Sequence, residues 1–148
     1  MKSIGYIFTN KYLIAPLLTG IFAQFIKFIL CWIKDKKPDF SWLVSTGGMP
    51  SSHSAAVMCL STITGIEQGF KSPLFGITLY FSLIIMYDAT GLRRAAGEQA
   101  KILNKILDEF GEEKRIHEER LKEFLGHTPV EVFVGAILGI LAGILATM

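Results

Sequence analysis

The sequence predicts an all-α fold: a polytopic membrane helical bundle of about four transmembrane helices plus an amphipathic helix. The 148 residues are 51% hydrophobic and only 19% charged, and the mean hydropathy is +0.43. The apolar residues are concentrated in four stretches, each close to the ~20 residues that a helix needs to cross a bilayer. The third and fourth stretches lack the polar stripe of a soluble core helix. The length fits a single domain over residues 1–148.

The four apolar stretches differ in their polar residues. Gln24 and Lys27 interrupt the first, the second is rich in serine and threonine, and the fourth carries no charge after Glu131. The first stretch has no small-residue cleavage site after a short apolar core, so it is interpreted as a span and not as a signal peptide. The predicted spans are Tyr12–Ile33, Ser51 to about Phe70, Ser72 to about Ala89, and Pro129–Met148.

A long polar segment, residues 90–128, separates the third span from the fourth. In its first half, from Leu92 to Leu107, apolar residues recur at helical spacing and charged residues fall on the opposite face. Within this half, Glu98 is an i,i+4 partner for Arg94. The pattern predicts an amphipathic helix that lies on the membrane surface or against the bundle.

The topology brings polar residues of all four spans to one side of the membrane, here called the near face. Span one ends there, span two begins there, span three returns there and span four begins there. By the positive-inside rule this face is predicted to be cytoplasmic, because it holds eleven of the fifteen lysines and arginines. The opposite, far face has Lys2, Lys11 and Lys71. The eleven near-face cations are Lys34, Lys36, Lys37, Arg93, Arg94, Lys101, Lys105, Lys114, Arg115, Arg120 and Lys122.

The start of span two carries the first candidate site residues. Gly48 allows close backbone approach, and Ser51 or Ser52 can cap the helix. Exposed amides at a helix start attract anions. A histidine placed there, His53, can give a proton to a leaving oxygen. The alternative is a capped helix start with a histidine at the membrane interface.

The start of span four carries the second group. Glu131 follows His127 by four residues, so its carboxylate can accept a hydrogen bond from one ring nitrogen and leave the other nucleophilic. The alternative for Glu131 is structural, because Thr128, Pro129 and Glu131 also fit a capping box.

Cationic side chains complete the candidate site. Arg93 and Arg94 suit bidentate phosphate binding, with lipid-headgroup anchoring as the alternative, and Asp88 is a salt-bridge partner for one of them. Lys27 lies about two turns inside span one, where an ammonium must be paired, face a polar cavity or snorkel to the surface. Glu98 is assigned a supporting role. No metal ligand set is predicted.

Span four also carries a glycine at every fourth position: Gly135, Gly139 and Gly143. Small residues at this spacing let helices approach closely, either inside the bundle or between subunits. A homodimer through this face is therefore one expectation. The formal charge of +2 does not suggest nucleic acid as a partner, and no cofactor is predicted.

Two segments together resemble the type-2 phosphatidic acid phosphatase and vanadium haloperoxidase superfamily. They are Pro50-Ser51-Ser52-His53 and Gly126-His127-x-x-x-Glu131. Nearly all of the chain is similar to the small divergent branch of that family, which has the same Asp-Ala-Thr-Gly-x-Arg-Arg and Gly-His-Thr-Pro segments. The resemblance implies a helical bundle and metal-independent phosphomonoester hydrolysis through a phosphohistidine.

The resemblance also implies roles. His127 is the nucleophile, Glu131 replaces the orienting aspartate, and His53 is the general acid. Ser51 and Ser52 hold phosphate oxygens. Leu121 stands where the superfamily has an arginine, and the first signature is absent as written. On this interpretation the missing cations come from elsewhere in the chain, namely from Lys27, Arg93 and Arg94.

The predicted function is therefore that of an integral membrane lipid-phosphate phosphatase, with a phosphorylated lipid and the bilayer as partners. Phosphatidylglycerophosphate, phosphatidate and isoprenoid phosphates all fit as substrates. One alternative is a non-catalytic subunit that binds lipid headgroups or serves in an assembly. Another is a metal-dependent lipid phosphotransferase, suggested by Asp88-x-x-Gly-x-Arg but without an acidic partner at matching spacing.

Overall fold

The computed structural model describes residues 5–36, 40, 47–90, 99–106 and 127–148. Every regular element in these ranges is helical, which confirms the all-α fold class. Residues 99–106 are helical as well and lie within the predicted amphipathic helix. The other elements are a 3-10 turn Tyr6–Thr9 and the helices α1 Lys11–Asp35, α2 Ser52–Gln68, α3 Pro73–Thr90 and α4 Pro129–Leu145.

Side-chain caps fix where three of the helices begin. Asn10 Oδ1 accepts a hydrogen bond from the Tyr12 amide at the start of α1, and Ser51 caps α2. Thr128 and Glu131 form a full capping box at the start of α4. These local signals set the helix starts close to the predicted span starts, because each cap satisfies amides that the first helical turn leaves open.

Helix α2 packs against α1, α3 and α4 and is the centre of the described bundle. Its small polar side chains face these neighbours. The hydroxyls of Ser61 and Ser82 lie 2.8 Å apart, and Ser82 also donates to the Val57 carbonyl at 3.0 Å. Hydrogen bonds of this kind join helices inside a membrane. They give Ser61 of the second apolar stretch a structural role, whereas Thr62 and Thr64 donate to carbonyls of their own helix.

The glycines of α4 lie against α2 of the same chain. A Cβ on Gly135 would collide with the Ser51 carbonyl oxygen, and one on Gly139 with that of Ala55. From the first contact to the second, the residue number rises by four on α4 and also by four on α2. The two helices therefore run parallel. Of the two placements expected for Gly135, Gly139 and Gly143, packing inside the bundle is the one observed, because α2 covers this face. A homodimer of the protein stays a prediction.

Two described helices are long and apolar enough to cross a membrane by length and composition, namely Lys11–Lys34 of α1 and the whole of α3. Helices α2 and α4 have 17 residues each, a length of about 26 Å, slightly less than a typical hydrocarbon core. Large apolar side chains such as Phe22, Ile77 and Phe133 are exposed on the outside of the bundle, as expected for lipid contact. The count of four spans stays a prediction.

Candidate active site

The near-face ends of α2, α3 and α4 are joined by two backbone hydrogen bonds. The Ser51 amide donates to the Glu131 carbonyl at 3.0 Å, and the His127 amide donates to the Ala89 carbonyl at 3.1 Å. The starts of α2 and α4 and the end of α3 thus meet at one point. The ends of these three predicted spans therefore converge at one end of the bundle.

One carboxylate oxygen of Glu131 serves both predicted purposes. Oε2 lies 3.0 Å from His127 Nδ1 and also accepts from the Thr128 amide at 3.2 Å. The capping box and the oriented histidine therefore exist together and are not alternatives. When the carboxylate is ionised, Nδ1 is the donor, so the neutral ring carries its lone pair on Nε2. The side chain of His127 is buried.

Lys27 is fully buried, which contradicts snorkelling to the membrane surface. Its Nζ donates to Gln24 Oε1 at 3.0 Å, and its charge interacts with the Glu131 carboxylate. Helix α1 thereby brings a cation to the acidic side chain of α4. Of the three possibilities for an ammonium inside a span, burial among polar and charged partners is the one observed.

The start of α2 is tightly held. Gly48 has φ of 89°, a backbone conformation in which glycine has no steric penalty. The Ser51 side chain is buried and accepts from the Ser54 amide at 3.4 Å and the Ser54 hydroxyl at 3.0 Å. Ser52 opens the first turn of α2. Phosphate contacts by Ser51 and Ser52 stay predictions.

The two predicted catalytic rings are neighbours. The ring centroids of His53 and His127 are 6.4 Å apart, and the ring planes meet edge to face at 67°. His53 is exposed, whereas His127 is buried. The arrangement therefore offers one histidine shielded by the bundle and oriented by a carboxylate, and a second one open to the surroundings.

Several predicted site residues are not part of this geometry. Arg93, Arg94 and Glu98 lie outside the described residues. Asp88 is described and is exposed near the end of α3. Its pairing with an arginine, like the phosphate contacts of the arginines, stays a prediction. Across the described ranges, no three His, Cys, Asp or Glu residues are grouped as a metal site.

A polar cluster at the far face was missed by sequence analysis. Tyr12 Oη donates to Glu67 Oε2 at 2.6 Å and accepts from Gln68 Nε2 at 2.8 Å, and Lys11 pairs with Glu67. We call these four residues the far-face cluster. It ties the start of α1 to the end of α2. Polar residues at the outer ends of two consecutive spans were the signal that could have found it.

The comparisons with known proteins agree with this architecture. Residues 8–142 match the family described as "Divergent PAP2 family". The chain is 46% identical over 144 residues to "Uncharacterized membrane protein YuiD" of Bacillus subtilis (strain 168), over 90% of this chain and 91% of that protein. No solved structure matches. The predicted resemblance is confirmed, and the chain, an all-α membrane bundle, belongs to the divergent PAP2 family.

Proposed function

We propose that the protein is an integral membrane phosphatase that hydrolyses the phosphomonoester of a lipid at its near face, through a phosphohistidine and without a metal ion. The observation that carries the proposal is the His127–Glu131 contact of 3.0 Å with the His53 ring beside it. Membership of a phosphatase-related superfamily supports the same reaction class. An oriented imidazole beside a second imidazole supplies a nucleophile and an acid.

The first half-reaction transfers the phosphoryl group to His127. The Nε2 lone pair attacks phosphorus, a P–N bond forms, and the P–O bond to the lipid alcohol breaks while His53 gives its proton to the departing oxygen. Attack needs a separation of about 3–3.5 Å, and proton donation needs a hydrogen bond of about 2.6–3.2 Å. A ring separation of 6.4 Å is compatible with a phosphoryl group that reaches both rings.

Water completes the cycle. It attacks the phosphorus of the phosphohistidine, the P–N bond breaks, and the now neutral His53 takes one proton from the water. The products are the lipid alcohol and inorganic phosphate. Glu131 holds the ring of His127 in one tautomer throughout. Lys27, Arg93 and Arg94 offset phosphate charge, and the hydroxyls of the serines at the start of α2 bind its oxygens.

The near face is assigned to the cytoplasm because it carries most of the lysines and arginines. Helix α4 begins at the near face and runs toward the far face, so the C-terminus is expected on the outside. A reporter fused there that gives a cytoplasmic signal would contradict the orientation. The chemistry of the site does not depend on this assignment.

A second candidate is a non-catalytic subunit that binds lipid headgroups. The observation in its favour is Leu121, which stands where the superfamily has an arginine. This candidate predicts binding of lipid phosphates without release of inorganic phosphate. A metal-dependent phosphotransferase, in contrast, predicts a reaction that EDTA abolishes.

One experiment separates these functions. The purified protein in detergent is given phosphatidylglycerophosphate, phosphatidate and an isoprenoid phosphate with EDTA present, and released phosphate is measured. We expect phosphate release from at least one substrate. When the substrate carries a radiolabelled phosphate, we also expect a labelled phosphohistidine on the enzyme, which is stable to base and labile to acid. The His127→Ala variant should lose both signals, by at least about 1000-fold for turnover. Binding without release, or full activity in His127→Ala, would overturn the proposal.

A further inference from the structure

The helical segment 99–106 has an inverted burial pattern. Its one buried residue is the polar Asn104, at 8% exposure. Its large aliphatic residues are open: Ile102 is 61% exposed, Leu103 48% and Ile106 43%. A surface helix of a water-soluble protein shows the opposite, with aliphatic side chains inward and polar ones outward. The pattern indicates an apolar environment on the outer side of this helix.

The angular positions around the helix sharpen this picture. At about 100° per residue, Ile102 and Ile106 point about 160–200° away from Asn104. Leu103 extends the same arc on one flank. Lys101 and Lys105, both exposed, share the other flank at about 60–100° from Asn104. The helix therefore has a side toward the protein, an opposite apolar arc and a cationic edge between them.

We propose that segment 99–106 is an interfacial helix embedded in the near-face leaflet. Its apolar arc of Ile102, Leu103 and Ile106 enters the boundary between headgroups and acyl chains, and Lys101 and Lys105 contact the phosphates of anionic lipids. The sequence predicted that this helix lies on the membrane surface or against the bundle. In this proposal it does both, since Asn104 faces the protein and the aliphatic arc faces lipid. The inference does not depend on the proposed phosphatase activity.

Three observations favour lipid as the contact partner of the apolar arc. The chain is a membrane bundle, so a leaflet borders its near face. Segment 99–106 starts nine residues after α3 ends at Thr90 on that face, a reach of roughly 30 Å at most. The lysine edge matches the negative phosphates of anionic headgroups, which attract basic interfacial helices. An aliphatic arc bordered by cations is the usual form of such a helix.

The test measures the depth of two side chains on the same helix. In a background with both cysteines, Cys31 and Cys59, replaced, Ile106→Cys and Lys101→Cys are each labelled with an environment-sensitive fluorophore. The proteins are placed in phosphatidylcholine vesicles with brominated acyl chains. We expect quenching at position 106 to be several-fold stronger than at position 101. Quenching of position 106 by aqueous iodide but not by bromine would overturn the proposal.

The lysine edge has its own readout. With the label at position 101, spin-labelled phosphatidylglycerol should quench at least twofold more than spin-labelled phosphatidylcholine. The excess should shrink in the Lys105→Gln variant and disappear at about 1 M salt, where the Debye length is only about 3 Å. Equal quenching by the two lipids at low salt would remove the anionic-lipid part of the proposal. As a control, the thermal unfolding of the variants at positions 101, 105 and 106 should be unchanged, because these exposed side chains do not hold the fold together.

Discussion

The two ends of the bundle both join polar side chains from neighbouring helices, but they differ in burial. In the far-face cluster, 51% of the Lys11 side chain is exposed. At the near face, Lys27 and Ser51 have no exposed surface and His127 has 1%. An exposed ion pair contributes little to stability because water and salt screen it. Buried ionisable groups are costly in a membrane bundle. Among the described residues the buried lysine and histidine lie toward the near face, which is where we propose the functional site.

Packing explains how the near face keeps these groups buried. Gly135 lets α4 lie directly on the backbone of Ser51, whose amide bonds the Glu131 carbonyl. The same helix start carries the carboxylate that orients His127. Electrostatic interactions are stronger in such a water-poor environment than at the surface. The far-face cluster includes a side chain that is half exposed, so its contacts are expected only to hold α1 and α2 together.

The strongest test of this contrast is His53→Asn, which removes the proposed acid and leaves the His127–Glu131 contact intact. The kcat/KM for a lipid phosphate should fall by about 100- to 10,000-fold, because the alcohol then leaves without a proton. With p-nitrophenyl phosphate, whose leaving group needs no proton, the loss of kcat/KM should be far smaller. This ratio reports the first half-reaction and not the later hydrolysis of the phosphohistidine, in which His53 acts on both substrates alike, so kcat/KM on both substrates measures the difference. Equal losses on both would contradict the acid role.

A matched far-face variant is the control for this measurement. Gln68→Ala removes a polar side chain of the far-face cluster at the other end of the same helix, α2. It should leave both rates unchanged. A parallel loss of activity in this variant would mean that the two ends of the bundle are not functionally distinct.

Local patterns in the sequence were sufficient to predict much of the near face. The spacing of His127 and Glu131, and the capping sequence around Thr128, depend only on residues within one helical turn. The convergence of the helix ends followed from the order of the spans. These features need no knowledge of which helix faces meet.

Other features depend on contacts between distant segments and could not be predicted in the same way. The glycines of α4 were equally consistent with a dimer, because a small-residue face does not specify its partner. Snorkelling of Lys27 stayed possible until its side chain was found buried, with Nζ bonded to Gln24 Oε1. The inward position of Asn104 is also set by tertiary packing, since helical periodicity alone would place an aliphatic residue there.

The second prediction concerns the charges of Lys27 and Glu131. Lys27→Met should lower stability by about 1–3 kcal/mol, because Gln24 Oε1 loses its donor inside the bundle and the charge of Glu131 is less well balanced. Adding Glu131→Gln should recover part of this loss, since the double variant leaves no unbalanced carboxylate. Thermal unfolding in detergent of the wild type, both single variants and the double variant gives the coupling. Strictly additive effects would show that the two side chains do not interact in the resting protein.

The third prediction compares two glycines of the same stripe. Gly135→Ala and Gly143→Ala each force α4 away from α2, and each should destabilise by about 1–3 kcal/mol. Only Gly135 lies on the Ser51 backbone, so only its variant should displace the site. We expect about a tenfold loss of kcat for Gly135→Ala, because misplacement of reacting groups slows catalysis steeply. The measurement is kcat of both variants at a temperature well below their unfolding temperatures. Equal kcat values for Gly135→Ala and Gly143→Ala would exclude a role of Gly135 in positioning the site.

The smallest expected effect belongs to the far-face cluster itself. Tyr12→Phe removes the hydroxyl that bonds both Glu67 and Gln68. Because the cluster is exposed, the unfolding temperature should fall by less than about 2 °C and phosphate release should not change. The same melts that report on Lys27→Met provide the measurement. A fall as large as that of the Lys27 variant would show that the far face stabilises the bundle as strongly as the near face, and burial would then no longer separate the two ends.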